Sequence, residues 1–483
     1  MNFLKKNYGL LVVLVLSFWA VKSFFIPGFF PMHDDTQVAR VFEMWKVLIS
    51  GVFPVRVVPD LGYGYGYPIF NFYAPLAYYA GAVFMLLGFD ALIATKIMMV
   101  LGIVLAGIFM YLLARKFFGE LGGVVSGLFY IYAPYHAVDI YVRGDVAEFW
   151  AYAFIPLAFL GFYRKNLLLG AIGFSGLILS HNLTAMMVTP FLLILILLNI
   201  FFSSRGEKLK VAYRSLLAQF FGLALSAFYW IPALVEMKYT NVLSQIGGGA
   251  NFRDHFVCVG QLWNSMWGFG GSVAGCNDGL SFKIGKLHIL LVIAVSVIML
   301  FVGKIRKSNN GAIIFFSLLG FLMSVFLMLE TSRIIWETIP AMAFFQYPWR
   351  FLILASFFSS VLAGSLIFLL KQFGIKPYLT ALLLLIFLLF FNIKLFIPQT
   401  ILPKTAADYT NENALKWTVS RISDEYLPPD FKKPKNEIDV YKGQSSIRVP
   451  QTPTEKISNV VSLVGILALA LDIILLRDKT KYE

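Results

Sequence analysis

About thirteen separate apolar runs, each long enough to approach or cross a bilayer, constrain this chain more than any other feature it has. They lie near 8–26, 68–88, 91–113, 121–135, 147–163, 167–180, 185–203, 214–233, 286–303, 311–329, 350–370, 378–397 and 457–476. With 59% hydrophobic and only 14% charged residues, the chain cannot cover a soluble core with polar surface. The fold class this dictates is an all-α polytopic membrane protein, in which each helix satisfies its own backbone amides inside lipid. A net charge of +14 could suggest nucleic acid, but the basic residues fall in short clusters between apolar runs, where cytoplasmic loops carry them. Nucleic acid is therefore not an expected partner.

Parity decides how many runs span. If all cross, Arg115 and Lys116, Arg164 and Lys165, the cluster Arg205, Lys208, Lys210 and Arg214, and the triplet Lys304, Arg306 and Lys307 face away from Lys5 and Lys6. That inverts the positive-inside rule. Removing 68–88 repairs every loop at once, and its Pro68, Asn71, Pro75 and crowded aromatics suit an interfacial or re-entrant segment. The sequence thus predicts about twelve spans with both termini cytoplasmic, the first of them an uncleaved signal anchor. Outside lie 27–90, 136–146, the turn at His181, 234–285, 330–349 and 398–456.

In domain terms, 1–397 forms the transmembrane module, with external loops at 27–90 and 234–285. Residues 398–456 form a small external appendage, and 457–483 the last span with a cytoplasmic tail. Within the appendage, 437–440 and 446–449 alternate like short β-strands. Cys258 and Cys276 share the second external loop, where oxidation is permitted, so a disulfide is expected, free thiols being the alternative. The same loop carries Gly247, Gly248, Gly249, Trp263 and Trp267, as either a movable cover over a site or a passive loop would.

Chemistry concentrates at the loop ends. Met32-His33-Asp34-Asp35-Thr36 places two carboxylates and an imidazole beside lipid, at the exit of the first run. One acid can cap the interfacial helix that follows, which leaves a second acid and a histidine over. Next comes a helix bearing Arg40, Glu43 and Trp45, then Asp60-Leu61-Gly62-Tyr63-Gly64-Tyr65-Gly66-Tyr67-Pro68. Tyr65 and Tyr67 can stack on a sugar, or form an aromatic belt at the headgroups. In Tyr141-Val142-Arg143-Gly144-Asp145-Val146-Ala147-Glu148, Glu148 opens a helix and Arg143 can pair with it or hold a phosphate. His181 and Asn182 in the turn after Ser180 fit a hydrogen-bonding plug or a ligand contact. Arg350, behind Tyr347-Pro348-Trp349, fits snorkelling and fits a lipid phosphate equally. Asp34, Asp35, Asp139, Arg143, Asp145, Glu148 and His181 all emerge on one predicted face, which suggests a single site. The chain has no Walker loop, dinucleotide fingerprint or HExxH, so nothing supports a nucleotide-driven pump or zinc protease.

The ordered set of Met32-His33-Asp34-Asp35, the Asp60 to Tyr73 stretch, Arg143-Gly144 with Glu148, Ser180-His181-Asn182, Tyr347-Pro348-Trp349-Arg350 and Glu425-Tyr426-Leu427-Pro428 resembles bacterial membrane proteins of the GT-C glycosyltransferase superfamily. The nearest branch carries the label "6-pyruvoyl-tetrahydropterin synthase-related", although nothing in the chain suggests pterin chemistry. This resemblance implies a lipid-linked sugar donor used on the external face, interfacial helices in the first external loop, and an acid of that loop acting on the acceptor. That acid maps to Asp34, with Asp35 beside it. Asp145 departs from the small apolar residue that similar sequences often carry, and the appendage is short for the superfamily.

The resulting expectation is a glycosyltransferase of the cell membrane that moves a sugar from a polyprenyl-phosphate donor to a glycan, protein or lipid acceptor. Asp34 serves as general base, with Asp35 and Glu148 as further catalytic acids. Arg350 and Arg143 neutralise the departing phosphate, and His33, His181, Asn182, Tyr65, Tyr67 and Trp349 contact substrate. Asp34, Asp35, Glu148 and His181 are also the candidate ligands of a divalent cation, Mg or Mn. The rival readings are a lipid-linked saccharide translocase or transporter, whose acids belong at mid-membrane depth on broken helices, and a non-catalytic membrane assembly protein.

Overall fold

The computed structural model describes residues 8–242 and 250–479. Lys5, Lys6, Gly247, Gly248 and Gly249 lie outside these described residues. The chain is helical through most of its length. Among the described residues, eight helices are long and apolar enough to cross a membrane, or nine if Lys208–Leu225 and Ala227–Tyr239, bent by 69°, make one span. It is an integral membrane protein.

The number differs from about twelve chiefly because several apolar helices are short. The runs at 91–113 and 121–135 form two helices within Ala91–Ile131, parted where Gly119 takes φ 77° and ψ −173° and packed on one another, Gly107 against Ile131 and Gly123 against Tyr111. Leu167–Ser180 and Lys286–Phe301 are shorter apolar helices of 14 and 16 residues. At about 1.5 Å per residue they fall short of a hydrocarbon layer of roughly 30 Å. The doubtful run at 68–88 becomes two pieces, Ile69–Phe72 and Leu76–Leu86, parted by Tyr73-Ala74-Pro75. Eleven residues reach about 16 Å, half of that layer.

Contacts group the chain into two units. The first comprises Met1–His33, Val100–Pro156 and Ile246–Pro403. Its centre is the helix Leu352–Lys371, buried along nearly its whole length. Lipid offers no hydrophobic drive between helices, so close backbone approach must supply the contact. Gly364 permits it: a Cβ there would stand 2.1 Å from Ser126 Oγ and 2.4 Å from the Gly122 carbonyl. Gly320 likewise takes the ring of Phe358, whose Cζ would lie 2.5 Å from an added Cβ. In the same unit Cys258 and Cys276 are joined, with Cα atoms 5.6 Å apart. The loop they close is organised by Asp278, which accepts from Gln261 Nε2 at 2.8 Å, Ser265 Oγ at 2.7 Å and the Met266 amide at 2.9 Å.

The second unit comprises Asp34–Met99, Leu157–Gln245 and Lys404–Glu483. Its amphipathic helix Gln37–Ile49 buries Val38, Val41, Met44 and Val47 on one face and packs against Leu76–Leu86. Gly81 makes room for Val41, 2.7 Å from where a Cβ would sit. Lys208–Leu225 packs on Leu167–Ser180 and on the terminal helix Pro453–Lys479, with Gly222 against Phe174 and Gly465 against Ala224.

The expected β-containing appendage is corrected by this unit. Among the described residues, 437–439 form a single 3-10 turn, 446–449 carry no regular element, and no sheet occurs beyond isolated bridges. Two four-residue strands without a third partner are marginal at best. The segment instead fastens onto the Gly–Tyr loop, through Tyr441 N to Tyr63 O at 3.0 Å and Ser445 Oγ to Gly64 O at 2.6 Å.

Candidate functional site

In the first unit, the helix Pro134–Val138 opens with proline at its first position and runs into one π-turn, Asp139–Arg143. Gly144 ends the turn at φ 65°, a left-handed conformation that favours glycine. A Cβ at Gly144 would also lie 2.0 Å from the sulfur of Met32, which packs directly on it. The next helix then begins at Val146. This succession turns Tyr135, Asp139, Arg143, Asp145 and Glu148 toward one another, all buried. A π-turn of this kind often marks a working site.

Arg143 is the hub. Its Nη1 donates to Glu148 Oε2 at 2.9 Å, to Tyr135 OH at 3.0 Å and to Asp139, while Nη2 donates to Asp145 Oδ2 at 2.7 Å. Tyr135 OH in turn donates to Glu148 Oε1 at 2.5 Å, and the Glu148 amide donates to Asp145 Oδ1 at 3.1 Å. Trp349 covers the guanidinium at 4.8 Å. Burial pushes the Asp139 carboxyl well above its usual range, and the neighbouring Glu148 charge adds to that. With that carboxyl raised, Asp145 and Glu148 are the acids that Arg143 chiefly balances.

Arg350 supplies the second guanidinium, with Nε 3.7 Å from Glu148 Oε2. Its Nη1 donates to the Phe345 carbonyl at 3.2 Å and to Gln346 Oε1 at 3.1 Å, and its buried Nε makes no hydrogen bond among the described residues. Arg350 is thus buried but only partly satisfied, whereas Arg143 is fully engaged by acids. Trp349 is held by stacking on Tyr347 at 5.0 Å and by Nε1 donating to Ser272 Oγ at 3.0 Å. His255 Nδ1 meets the same Ser272 hydroxyl at 2.8 Å. His33 anchors the start of its motif here, its amide on the Val142 carbonyl at 3.1 Å and its ring on the Phe269 carbonyl at 3.0 Å. Ser272 and Phe269 both lie inside the disulfide-closed loop.

The remaining expected residues belong to the second unit. Asp34 and Asp35 precede the helix Gln37–Ile49, whose cap position is Thr36, so neither acid caps it. The Asp34 carbonyl accepts from the Thr36 amide at 2.7 Å and Gln37 Nε2 at 3.1 Å. Burial lifts the Asp35 carboxyl to about 6, against the opposing pull of Lys404. His181 forms the joint between Leu167–Ser180 and Asn182–Phe201, with Nδ1 2.7 Å from Thr184 Oγ1. Asn182 accepts from the Leu183 amide at 2.9 Å. Of the four expected metal ligands, Glu148 belongs to the first unit and Asp34, Asp35 and His181 to the second.

Two expectations about aromatic rings need correction. Tyr67 is fully buried, its hydroxyl 3.3 Å from Ser423 Oγ and accepting from the Tyr426 amide at 3.2 Å, so it has no face for a sugar. Trp349 is likewise 3% exposed, one ring serving Arg143, Tyr347 and Ser272. Tyr65, by contrast, is 53% exposed.

Sequence reasoning overlooked Tyr135, His255 and Ser272. Tyr135 stands four residues before Asp139, one helical turn, and that spacing could have marked it. His255 and Ser272 had no such signal. The buried Arg40 was also underrated: it donates to Ser423 Oγ at 2.9 Å and Tyr78 OH at 3.4 Å, and lies 4.6 Å over Tyr73. Nearby, Glu43 accepts from the Asp60 amide at 3.1 Å, and burial followed by the Asp60 charge raises its carboxyl well above the usual range.

No family model matches the chain. A curated relative, an uncharacterized protein of Lactococcus lactis subsp. cremoris (strain MG1363), is 25% identical over 252 residues, 49% of this chain and 41% of that relative. Among solved structures, the Archaeoglobus fulgidus oligosaccharyltransferase in its apo form gives a TM-score of 0.48 at 14% identity, over 94% of this chain and 62% of that one. The same enzyme tethered to an acceptor peptide containing the NVT sequon gives 0.46 at 14% identity, over 89% and 57%. The chain therefore spans less than two thirds of the length of each of these proteins. At such TM-scores neither fold nor activity is carried over from the archaeal enzyme.

Proposed function

We propose that this protein is a membrane glycosyltransferase that moves a sugar from a polyprenyl-phosphate-linked donor to an acceptor on the external face of the cell membrane. The observation that carries this reading is Arg350, a buried guanidinium beside Glu148 whose Nε makes no hydrogen bond among the described residues. Buried donors left unmade are costly, and a phosphate oxygen is the acceptor whose geometry and charge suit a guanidinium best. The motif likeness to GT-C proteins, including the branch with the pterin label, supports the same reading. Arg350→Ala is expected to weaken retention of undecaprenyl phosphate by the purified protein by roughly tenfold or more, a charged hydrogen bond's worth. Unchanged retention would remove the phosphate from this account.

Chemically, an acceptor hydroxyl attacks the anomeric carbon, the bond to the lipid phosphate oxygen breaks, and the hydroxyl proton passes to a carboxylate. We assign that base to Asp34. Asp35 follows it in the chain, and its carboxyl, lifted to about 6 by burial, is the group whose ionisation the pH profile should report. Transfer should therefore rise as pH increases through about 6, and Asp35→Asn should abolish that limb. A limb that persists in the variant would exclude Asp35. In stability the sign is opposite: the folded state holds this proton more tightly than the unfolded chain, so the contribution of Asp35 is greatest below its ordinary 3.8 and declines as pH rises toward 6.

Asp145 and Glu148 are the acids of the first unit that could help to hold a divalent cation, Mg or Mn. The proposed topology puts Arg115, Arg164 and Lys304 on the cytoplasmic side, with both termini. Single cysteines introduced beside these residues should label only from inside, and labelling from outside would invert the arrangement.

A further inference from the structure

We propose that Tyr65, Tyr441 and Phe431 form a binding platform for a neutral oligosaccharide, the acceptor glycan of the reaction proposed above. The inference starts from a strained loop. Gly62, Tyr63, Gly64 and Gly66 all take positive φ, at 65°, 58°, 84° and 89°, and Tyr63 does so without being glycine. A bulky residue in that region is uncommon and persists only where its surroundings overdetermine it. Here they do: the Tyr63 amide donates to Ser420 Oγ at 3.0 Å, the Tyr441 amide to Tyr63 O at 3.0 Å, and Lys416 Nζ to the Tyr441 carbonyl at 3.0 Å.

The product of this bracing is an aromatic surface held open. Tyr65 and Tyr441 stack at 5.0 Å with their planes 26° apart, and remain 53% and 40% exposed. Phe431 meets Tyr65 edge-on at 5.6 Å and stacks on Tyr63 at 6.1 Å. The two tyrosines cover part of their surface by stacking on each other and leave the rest in water, open to a partner's apolar face.

Charge identifies the partner's chemistry. In the stretch 421–442, which carries Phe431 and Tyr441, Arg421, Lys432, Lys433, Lys435 and Lys442 are matched in number by Asp424, Glu425, Asp430, Glu437 and Asp439, and Lys433 pairs with Asp424 at 2.7 Å. An anionic lipid surface or a polyanion would call for an unbalanced basic patch. Balanced donors and acceptors beside ring faces suit hydroxyls, which donate and accept, on a pyranose whose C–H face stacks on tyrosine.

Binding can be read without transfer. The full chain in detergent is titrated with maltohexaose, cellohexaose, chitohexaose and mannohexaose, and contact is followed by saturation-transfer NMR. At least one is expected to bind with a dissociation constant below millimolar, Tyr65→Ala with Tyr441→Ala to weaken it at least tenfold, and Tyr65→Phe to retain it. Both tyrosines are exposed at the surface, and a thermal melt confirms that the double variant is folded. If no hexasaccharide binds the wild type, the rings are an interfacial belt and the platform is refuted. Binding that survives the double variant refutes it equally. A wild type that binds sugar yet transfers none would overturn the transferase reading and leave the platform standing.

Discussion

Arg143→Ala is expected to destabilise the protein by about 3–5 kcal/mol, because it removes the cation on which three buried carboxylates converge. The cost comes chiefly from buried negative charge that loses its cation, and less from the missing hydrogen bonds themselves: Glu148 would keep the Arg350 guanidinium, whose Nε is 3.7 Å away, while Asp145 would lose its 2.7 Å bridge to Arg143 Nη2. The partners do not contribute equally. Asp139, driven toward its protonated form by burial, carries little of the imbalance, so Asp139→Asn should rescue Arg143→Ala weakly. Glu148→Gln, which removes a charge, should rescue it more. Arg143→Lys should recover only part, since one ammonium cannot reproduce a fork that serves Asp139, Glu148 and Tyr135 from one nitrogen and Asp145 from another. Thermal unfolding of the detergent-solubilised variants measures all four. An Arg143→Ala protein that melts with the wild type would show the cluster to be structurally idle.

The same cluster shows what a sequence reveals and what it hides. Arg143, Glu148 and the glycine between them are legible because their spacing carries chemistry within one turn. Trp349, Ser272 and His255 complete the surroundings from positions about a hundred or more residues away in the chain, and local patterning cannot foretell such contacts. The interfacial helix was legible for the opposite reason: Val38, Val41, Met44 and Val47 recur at helical spacing beside a polar face. At 68–88, Pro68 and Pro75 signalled a broken apolar run, and the helix between Leu76 and Leu86 is short accordingly.

Alternation misled twice. Period-two patterning at 437–440 and 446–449 looked like strands, yet with no sheet to join, the stretch between them fastens to a loop instead, through the Tyr441 amide and the Ser445 hydroxyl. In the Gly–Tyr run, equal spacing suggested equivalent rings. The left-handed residues turn successive tyrosines differently, so Tyr65 faces out and Tyr67 is buried against Ser423 and Tyr426. Asp35 belongs to a third class. Its position was legible, but its ionisation near 6 depends on burial that no motif encodes.

The second large effect concerns chemistry. Removing a general base typically lowers rate by about 100-fold to 10,000-fold, because the acceptor hydroxyl must then lose its proton unaided as the glycosidic bond to phosphate breaks. Asp34→Asn keeps the size and the backbone of the original. The Asp34 carbonyl accepts from the Thr36 amide and from Gln37 Nε2, and Asp34→Asn leaves both of these contacts in place. Matching the two proteins for folding keeps a loss of turnover distinct from a loss of structure. The decisive measurement is transfer of radiolabelled sugar from a polyprenyl-phosphate donor to cell-envelope acceptors by purified wild type and Asp34→Asn, matched for monodispersity and melting temperature. Active wild type with the variant reduced about 100-fold or more is the result this account predicts. A folded variant that transfers at the wild-type rate, or a wild type inert toward every lipid-linked sugar offered, would contradict it.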